Sequence, residues 1–541
     1  MSTVLKYDTV FAYRDFDLQA LCRRASALRQ GVPCACDPEK RPASGSFNFA
    51  IFISFEDGVR WVFRSPTSTT LPLEQEEKLL ASEAATLRYL KAHSDIPVPE
   101  VYDYCVSSDN DIGIPFILMS EAPGQQLSDV WKSASNSQPG LEAGEKDKIL
   151  SQLGAITFKL SQLRFDKIGS LFEEAGSFAP KECLSRGHML DDRYLLEIPR
   201  GPFGSETEFY NNLISALSEH AETMPLLPHC FVAPVPTRDE YQSYIQYQNA
   251  SLLWNDFVCV GDKFDSSKNR LDYVVLADAL RDILQKLEPP AVNPGTFPLC
   301  HPDLSADNIF VDEDFNITCL IDWAFASSVP DFMLFTMPGL PQYRDELSSE
   351  FEMPFIDGFY EVIPKSMDRR TISKYRELWE TDKVQVAWKL SRLLTLDSIR
   401  DYPLFAAVWE FAHGFDQDAG QYFQQQCRLP HYVQLYKEFQ KEDSPISEVE
   451  KKENDYLGNK IFRKTIARKL TLVSEWNRQY AEKKPPSLRN SLFVTSPQLW
   501  KWILSFAQDW DDMFDAVGSE IIIEGKAKGG GEREGKEGVM P

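Results

Sequence analysis

The chain has 541 residues, 43% of them hydrophobic and 26% charged, a composition with material for a large core and a length beyond one simple core. Its 57 Lys and Arg stand against 81 Asp and Glu, a net charge of −24 that disfavours nucleic acid and anionic membrane as partners. No apolar run approaches the roughly 20 residues needed to cross a bilayer, and Asp8, Arg14, Asp15 and Asp17 interrupt any secretory leader, so a cytoplasmic location is expected.

Of the ten cysteines only Cys34 and Cys36 are close together, without a second pair at metal-ligand spacing. Most are expected to be free, buried thiols.

In chain order, the first strong signal is an alternation. Phe47, Phe49, Ile51, Ile53 and Phe55 face one way, Asp57-Gly58 makes a turn, and Val59, Trp61 and Phe63 resume the pattern. This predicts a β-hairpin over 46–64. A helix is predicted over 74–93, with Leu79, Glu83, Leu87 and Leu90 on one stripe. Glu83 needs a partner if that stripe is buried, and sits in water if it lies at the stripe's edge; periodicity alone leaves both open. Pro97 and Pro99 break the chain, 114–119 reads as a buried strand, and 120–124 as a turn-rich connector.

Helices dominate from there. Ile149, Leu153, Ile156, Leu160 and Leu163 make an amphipathic stripe, 185–265 is aromatic-rich with several helices, and further helices are predicted over 276–287, 375–394 and 432–441. Residues 525–541 are Gly, Lys and Glu with almost nothing apolar, which predicts a disordered tail. A β-rich start, a connector and a helical remainder describe a small sheet lobe on a large helical lobe, a layout that binds ligands between the lobes.

The chemistry concentrates in His301-Pro302-Asp303-Leu304-Ser305-Ala306-Asp307-Asn308, followed by Ile317-Thr318-Cys319-Leu320-Ile321-Asp322-Trp323. The polar stretch 312–316 turns the chain, so 309–311 and 317–321 read as a short antiparallel hairpin. That pairing brings Asn308 and Asp322 to the same end. An amide oxygen and a carboxylate side by side suit magnesium, which prefers hard oxygen ligands and completes its shell with phosphate oxygens. Asp303, on the approach to the first strand, can orient an attacking hydroxyl and receive its proton.

The pattern His-x-Asp-Leu-x-x-x-Asn, a hydrophobic strand, then Ile-Asp-Trp resembles the aminoglycoside phosphotransferase and choline kinase-like family, most closely its fungal phosphotransferase branch. The likeness covers about residues 40–335. It implies an α+β, protein-kinase-like two-lobed fold with a small β-rich N lobe and a large helical C lobe. The implied divisions are an N-terminal extension (1–39), the N lobe (40–122), the C lobe with catalytic loop and substrate helices (123–515), and a disordered tail (516–541).

The resemblance further implies that Ser46 lies in the loop covering the phosphates, that Arg64 replaces the phosphate-binding lysine, and that Glu83 pairs with it. Ser120 and Ala122 fall in the hinge that receives the adenine ring. Asp303 is the implied catalytic residue, and Asn308 and Asp322 the metal ligands. His301 would brace the catalytic loop. The expected activity is transfer of the γ-phosphoryl group of ATP, or another nucleoside triphosphate with Mg2+, to a hydroxyl of a small molecule. The alternative is a catalytically inactive kinase-like nucleotide-binding or interaction module, suggested by the single glycine of the loop and by Arg64. A protein kinase ranks below both, because no Ala-Pro-Glu segment follows Asp322. Trp379, Trp388 and Trp409 read as helix packing rather than as a cage for a cationic substrate. Nothing identifies a protein partner.

Overall fold

The computed structural model describes residues 9–45, 47–67, 71–131, 140–190, 192–225, 266–287, 292–340, 349–379, 383–394, 402–414, 417–449 and 451. Nearly all of them lie in one compact unit, Met1–Lys132, Gly140–Leu226 and Ser266–Glu442; of the second unit, Ser133–Pro139, Leu227–Asp265 and Asp443–Pro541, only 443–449 and 451 are described. The expected tail, Ser46 and all of 226–265 fall outside the described residues.

The N-terminal sheet contains β1 (Cys34–Ala35), β2 (Ala43–Ser44), β3 (Asn48–Phe55), β4 (Arg60–Pro66), β5 (Val101–Cys105) and β6 (Phe116–Ser120). Its order is β1-β3-β4-β6-β5, with β2 added to β3, all antiparallel. The alternation read in the sequence buries Phe49, Ile51, Ile53 and Phe55 of β3 with Trp61 and Phe63 of β4. The turn between them needs Gly58, whose φ is +84°. Helix α1 (Leu18–Leu28) packs Ala20, Leu21 and Ala25 into the same cluster, so part of the segment assigned to an N-terminal extension completes the core of this lobe.

Helix α2 (Leu73–His93) buries Leu80, Ala84, Leu87 and Leu90 in a second cluster shared with Ile117 and Met119 of β6. The same cluster takes in Ile149, Leu153 and Leu160 of helix α4 (Ala143–Gln162), which follows strand β7 (Gln125–Gln126) and helix α3 (Leu127–Trp131). Strands β8 (Arg164–Phe165), β9 (Leu171–Glu174) and β10 (Ser177–Pro180), then helices α5 (Arg186–Met189), α6 (Glu206–Thr223) and α7 (Ser267–Leu287), lead to strand β11 (Phe297–Cys300). Beyond it come β12 (Ile309–Val311), β13 (Ile317–Leu320), β14 (Ser327–Ser328) and helices α8 (Asp331–Leu334), α9 (Ser349–Glu361), α10 (Arg369–Trp379), α11 (Lys383–Leu394), α12 (Tyr402–His413), α13 (Ala419–Gln426) and α14 (Pro430–Phe439). The molecule is thus an α+β, kinase-like fold with its sheet at the N-terminal side and helices after it.

Helices α4 and α9 cross at two glycines. A Cβ on Gly154 would stand 1.9 Å from the Phe355 carbonyl oxygen, and one on Gly358 1.9 Å from that of Ser151. Only glycine permits backbones this close.

Two expectations are corrected. The helix predicted over 375–394 is two helices, α10 and α11. Trp379 of α10 packs with Phe335, Phe355 and Phe359, whereas Val386, Leu390 and Leu393 of α11 join Phe405 and Val408 of α12. The two halves serve different clusters, and an in-phase apolar stripe cannot show that. Of the eight described cysteines, all free, only Cys183 and Cys319 are buried; the other six are half-buried. Among the described residues, no helix is long and apolar enough to cross a membrane.

Candidate active site

Strands β12 and β13 pair as Ile309↔Leu320 and Phe310↔Cys319, and the Ile321 N–H donates to the Asn308 carbonyl at 3.0 Å. Asn308 and Asp322 therefore flank the same end of the hairpin. Asn308 closes a 3-10 turn, Ala306–Asn308, and spends its Nδ2 on the Asp303 carbonyl at 2.9 Å. That bond fixes the amide's orientation and leaves Oδ1 as its outward acceptor.

Asp322 and Phe325 both have left-handed backbones, with φ of +65° and +68°. A non-glycine residue held there costs ~1–3 kcal/mol, and such strain gathers at functional sites. Trp323, fully buried between them, donates from Nε1 to the Leu320 carbonyl at 3.1 Å.

His301 accepts the Asp303 N–H at Nδ1, 3.0 Å, and donates from Nε2 to the Ile321 carbonyl, 3.0 Å. This pattern requires the neutral imidazole, and burial lowers its pKa to about 4. The residue clamps both limbs of the site.

Asp303 is 14% exposed, and its Oδ2 lies 3.3 Å from Arg186 Nη2. Its Oδ1 is buried with no hydrogen-bond partner among the described residues. Burial raises the carboxyl above the ordinary range; Arg186 and the Ser305 hydroxyl oppose this, while Asp322 and Asp307 add to it.

Arg64 projects from β4 and pairs with both Glu83 of α2 and Asp322. The even reading of Glu83 is resolved: its side chain is 4% exposed and ion-paired. Burial pushes Glu83 up to about 7 against the pull of Arg64. Desolvation resists ionisation of Asp322 too, but Arg64 outweighs it and holds Asp322 below the ordinary carboxylate range.

The connector is tied to the catalytic hairpin. Strand β7 pairs with β12 as Phe310↔Gln126, and Thr318 Oγ1 donates to the Pro123 carbonyl at 2.5 Å. Gly124, at φ +91°, passes so close that a Cβ would be 2.2 Å from the Val311 carbonyl oxygen. Ser120 is less open than expected of a hinge contact: its N–H donates to the Glu100 carbonyl at 2.9 Å and its Oγ accepts the Glu100 N–H at 3.0 Å. Those groups bind β6 to the residue before β5, and Ala122 lies beyond this tie. The Gly45 N–H donates to the Asn48 carbonyl at 2.9 Å, and the Phe47 ring meets Phe325 edge-on at 5.1 Å.

The structure thus joins Asp303, Asn308, Asp322, Arg64 and Glu83 into one connected set. It adds Arg186, which sequence reasoning missed: Arg186 lies 117 positions before Asp303, in a segment without periodicity.

This geometry defines the class as a two-lobed, kinase-like fold. Residues 40–232 match the model of the phosphotransferase enzyme family, which bears out the resemblance seen in the sequence. The matched stretch includes Arg64, Glu83, Ser120 and Ala122 and ends before Asp303, Asn308 and Asp322. The chain is 25% identical over 359 residues to a subtelomeric hrmA-associated cluster protein of Aspergillus fumigatus, covering 63% of this chain and 67% of that protein. It is 26% identical over 339 residues to altered inheritance of mitochondria protein 9, mitochondrial, of Eremothecium gossypii, covering 58% of this chain and 53% of that one. Among solved structures it is similar to the macrolide 2'-phosphotransferase of Brachybacterium faecium, with 15% identity, a TM-score of 0.34, and coverage of 73% and 98%. The cytoplasmic expectation is corrected by the second relative, whose name is that of a mitochondrial protein.

Proposed function

We propose that the protein is a magnesium- and nucleotide-dependent O-phosphotransferase that moves the γ-phosphoryl group of ATP to a hydroxyl of a small molecule. The observation that carries this reading is the linked set Asp303–Asn308–Asp322, with Arg64 bridging Asp322 to Glu83. The donor set fits a magnesium ion carried in on a nucleotide. Asn308 Oδ1 and the Asp322 carboxylate are hard oxygens, and among the described residues no cluster of three or more His, Cys, Asp or Glu forms an all-protein cage. When bound, the ion would neutralise charge on the β- and γ-phosphates.

The residues of the chain do the rest. Asp303 Oδ1, buried and without a hydrogen-bond partner among the described residues, accepts the hydroxyl proton of the acceptor as its oxygen bonds to the γ-phosphorus. The bond from that phosphorus to the β–γ bridging oxygen breaks, and the nucleoside diphosphate leaves with the electron pair. Arg64 holds the α- and β-phosphates, oriented by Glu83, and the backbone around Ala122 receives the base. The N lobe spans 40–122, completed by α1 and β1 from the segment before it, and the C lobe spans 123–515. A screen of metabolite fractions with γ-labelled ATP tests the reading: label should pass to a small molecule with the wild-type protein and not with Asp303→Asn.

One observation favours the rival, an inactive binding module: Arg64 already occupies the Asp322 carboxylate. Nucleotide binding without consumption across the same fractions would select it. The mitochondrial name of the second relative supports a mitochondrial setting, which subcellular fractionation tests.

A further inference from the structure

Arg186, the cation beside Asp303, deepens that reading and rests on it. Arg186 opens α5 and faces Asp303, with its side chain 19% exposed. Its Cζ lies 5.9 Å from the Phe325 ring centroid, in the segment that follows Asp322. Its charge acts on both carboxylates, drawing down Asp303 against the upward push of burial and contributing a smaller pull on Asp322.

Arg186 does not sit on a loose loop. His188, fully buried, accepts from Ser185 Oγ at Nδ1, 2.8 Å, and donates from Nε2 to Asn212 Oδ1, 2.7 Å. Arg200 donates to the carbonyls of His188 at 2.8 Å and Arg193 at 2.7 Å, and Arg193 donates to that of Gly187 at 3.2 Å. On the other side, Leu184 N–H donates to Ser170 Oγ at 3.0 Å. A four-residue helix carries this many buried polar ties, and their effect is to fix the backbone from which Arg186 projects.

A γ-phosphoryl group that Asn308 and Asp322 would hold through the metal, on its way to an oxygen at Asp303, would lie near two carboxylates. Its own negative oxygens would face both anions unless a cation stood beside them. A guanidinium offers forked donors matched to phosphate oxygens. We infer that Arg186 is the γ-phosphoryl-binding cation of this site. At rest it neutralises Asp303; with nucleotide bound it moves onto the γ-phosphoryl oxygens and leaves Asp303 to take the acceptor's proton.

The test compares a triphosphate with a diphosphate by titration calorimetry on the full chain, using AMP-PNP and ADP with magnesium. Arg186→Met should weaken AMP-PNP binding by about tenfold or more and leave ADP binding within about twofold, because only the triphosphate carries the contacted group. Arg186→Lys, which keeps the charge without the fork, should fall between. A matching thermal melt shows that each variant is folded, and Arg186→Lys carries the comparison if Arg186→Met does not fold. Equal losses for both nucleotides, or no loss for either, would overturn the inference while leaving the kinase reading in place. A wild-type protein that binds neither nucleotide would remove the kinase reading and the inference with it.

Discussion

Arg64 and Asp322 lie 258 positions apart in the chain and form an ion pair. The same guanidinium pairs with Glu83, so one cation joins β4, α2 and the residue after β13. Arg64→Met would strand Glu83, only 4% exposed, without its counterion. Breaking a buried pair from one side costs about 3 kcal/mol or more. Denaturant unfolding should show a loss of that order, with Arg64→Lys intermediate because an ammonium cannot fork to both acids. Unchanged stability in Arg64→Met would mean that the pair contributes nothing.

Asp303→Asn keeps the shape of the side chain and removes the proton acceptor. Phosphoryl transfer should fall by about 10²–10⁴-fold, the usual contribution of a positioned base. Magnesium–ADP affinity should hold, since Asp303 is not one of the proposed metal ligands. Wild-type turnover in this variant would assign the proton to another group.

The pH profile follows from the direction of the Asp303 shift. Its carboxyl is raised above the ordinary range by burial, and transfer needs the ionised form. Activity should therefore be complete above that raised pKa and decline as pH falls through it, with an acid limb above the usual carboxylate range. In the free enzyme Arg186 lowers that pKa, so in Arg186→Met the acid limb of kcat/KM should move to higher pH. A limb that stays in place would show that Arg186 does not act on Asp303.

Stability has its own pH dependence. His188 and His301 are buried and neutral, both lowered by burial to about 4 from an ordinary 6.5. The unfolded chain takes up these protons near its ordinary pKa and the folded chain does not. Their contribution is full above 6.5 and falls as pH drops toward 4, by up to roughly 3 kcal/mol for each residue, while Glu83, raised to about 7, contributes with the opposite sign over part of that range. Urea unfolding at a series of pH values isolates the histidine share: His188→Gln should lose less stability than the wild type between pH 6.5 and 4, and the same loss in both would contradict it.

The parts legible in the sequence were those set by local rules. Strict alternation and Asp57-Gly58 are enough for β3 and β4, and antiparallel pairing alone places Asn308 beside Asp322. A carboxylate on an apolar stripe flagged Glu83, although only the structure shows both of its neighbours through Arg64. What escaped is set by tertiary contact. Arg186 reaches Asp303 across 117 residues because a buried network around His188 aims it there, and no pattern along the chain encodes that aim. The Ser120 N–H donates to the Glu100 carbonyl, a pairing visible only once β5 and β6 are side by side.

The central claim is that Asp322 and Asn308 hold the metal that accompanies the nucleotide. The direct measurement is calorimetric titration of ADP into the wild-type protein and Asp322→Ala, each with magnesium and with EDTA. Wild-type binding should require magnesium, and Asp322→Ala should bind weakly and equally in both conditions. Magnesium-dependent binding that survives intact in Asp322→Ala would contradict the claim.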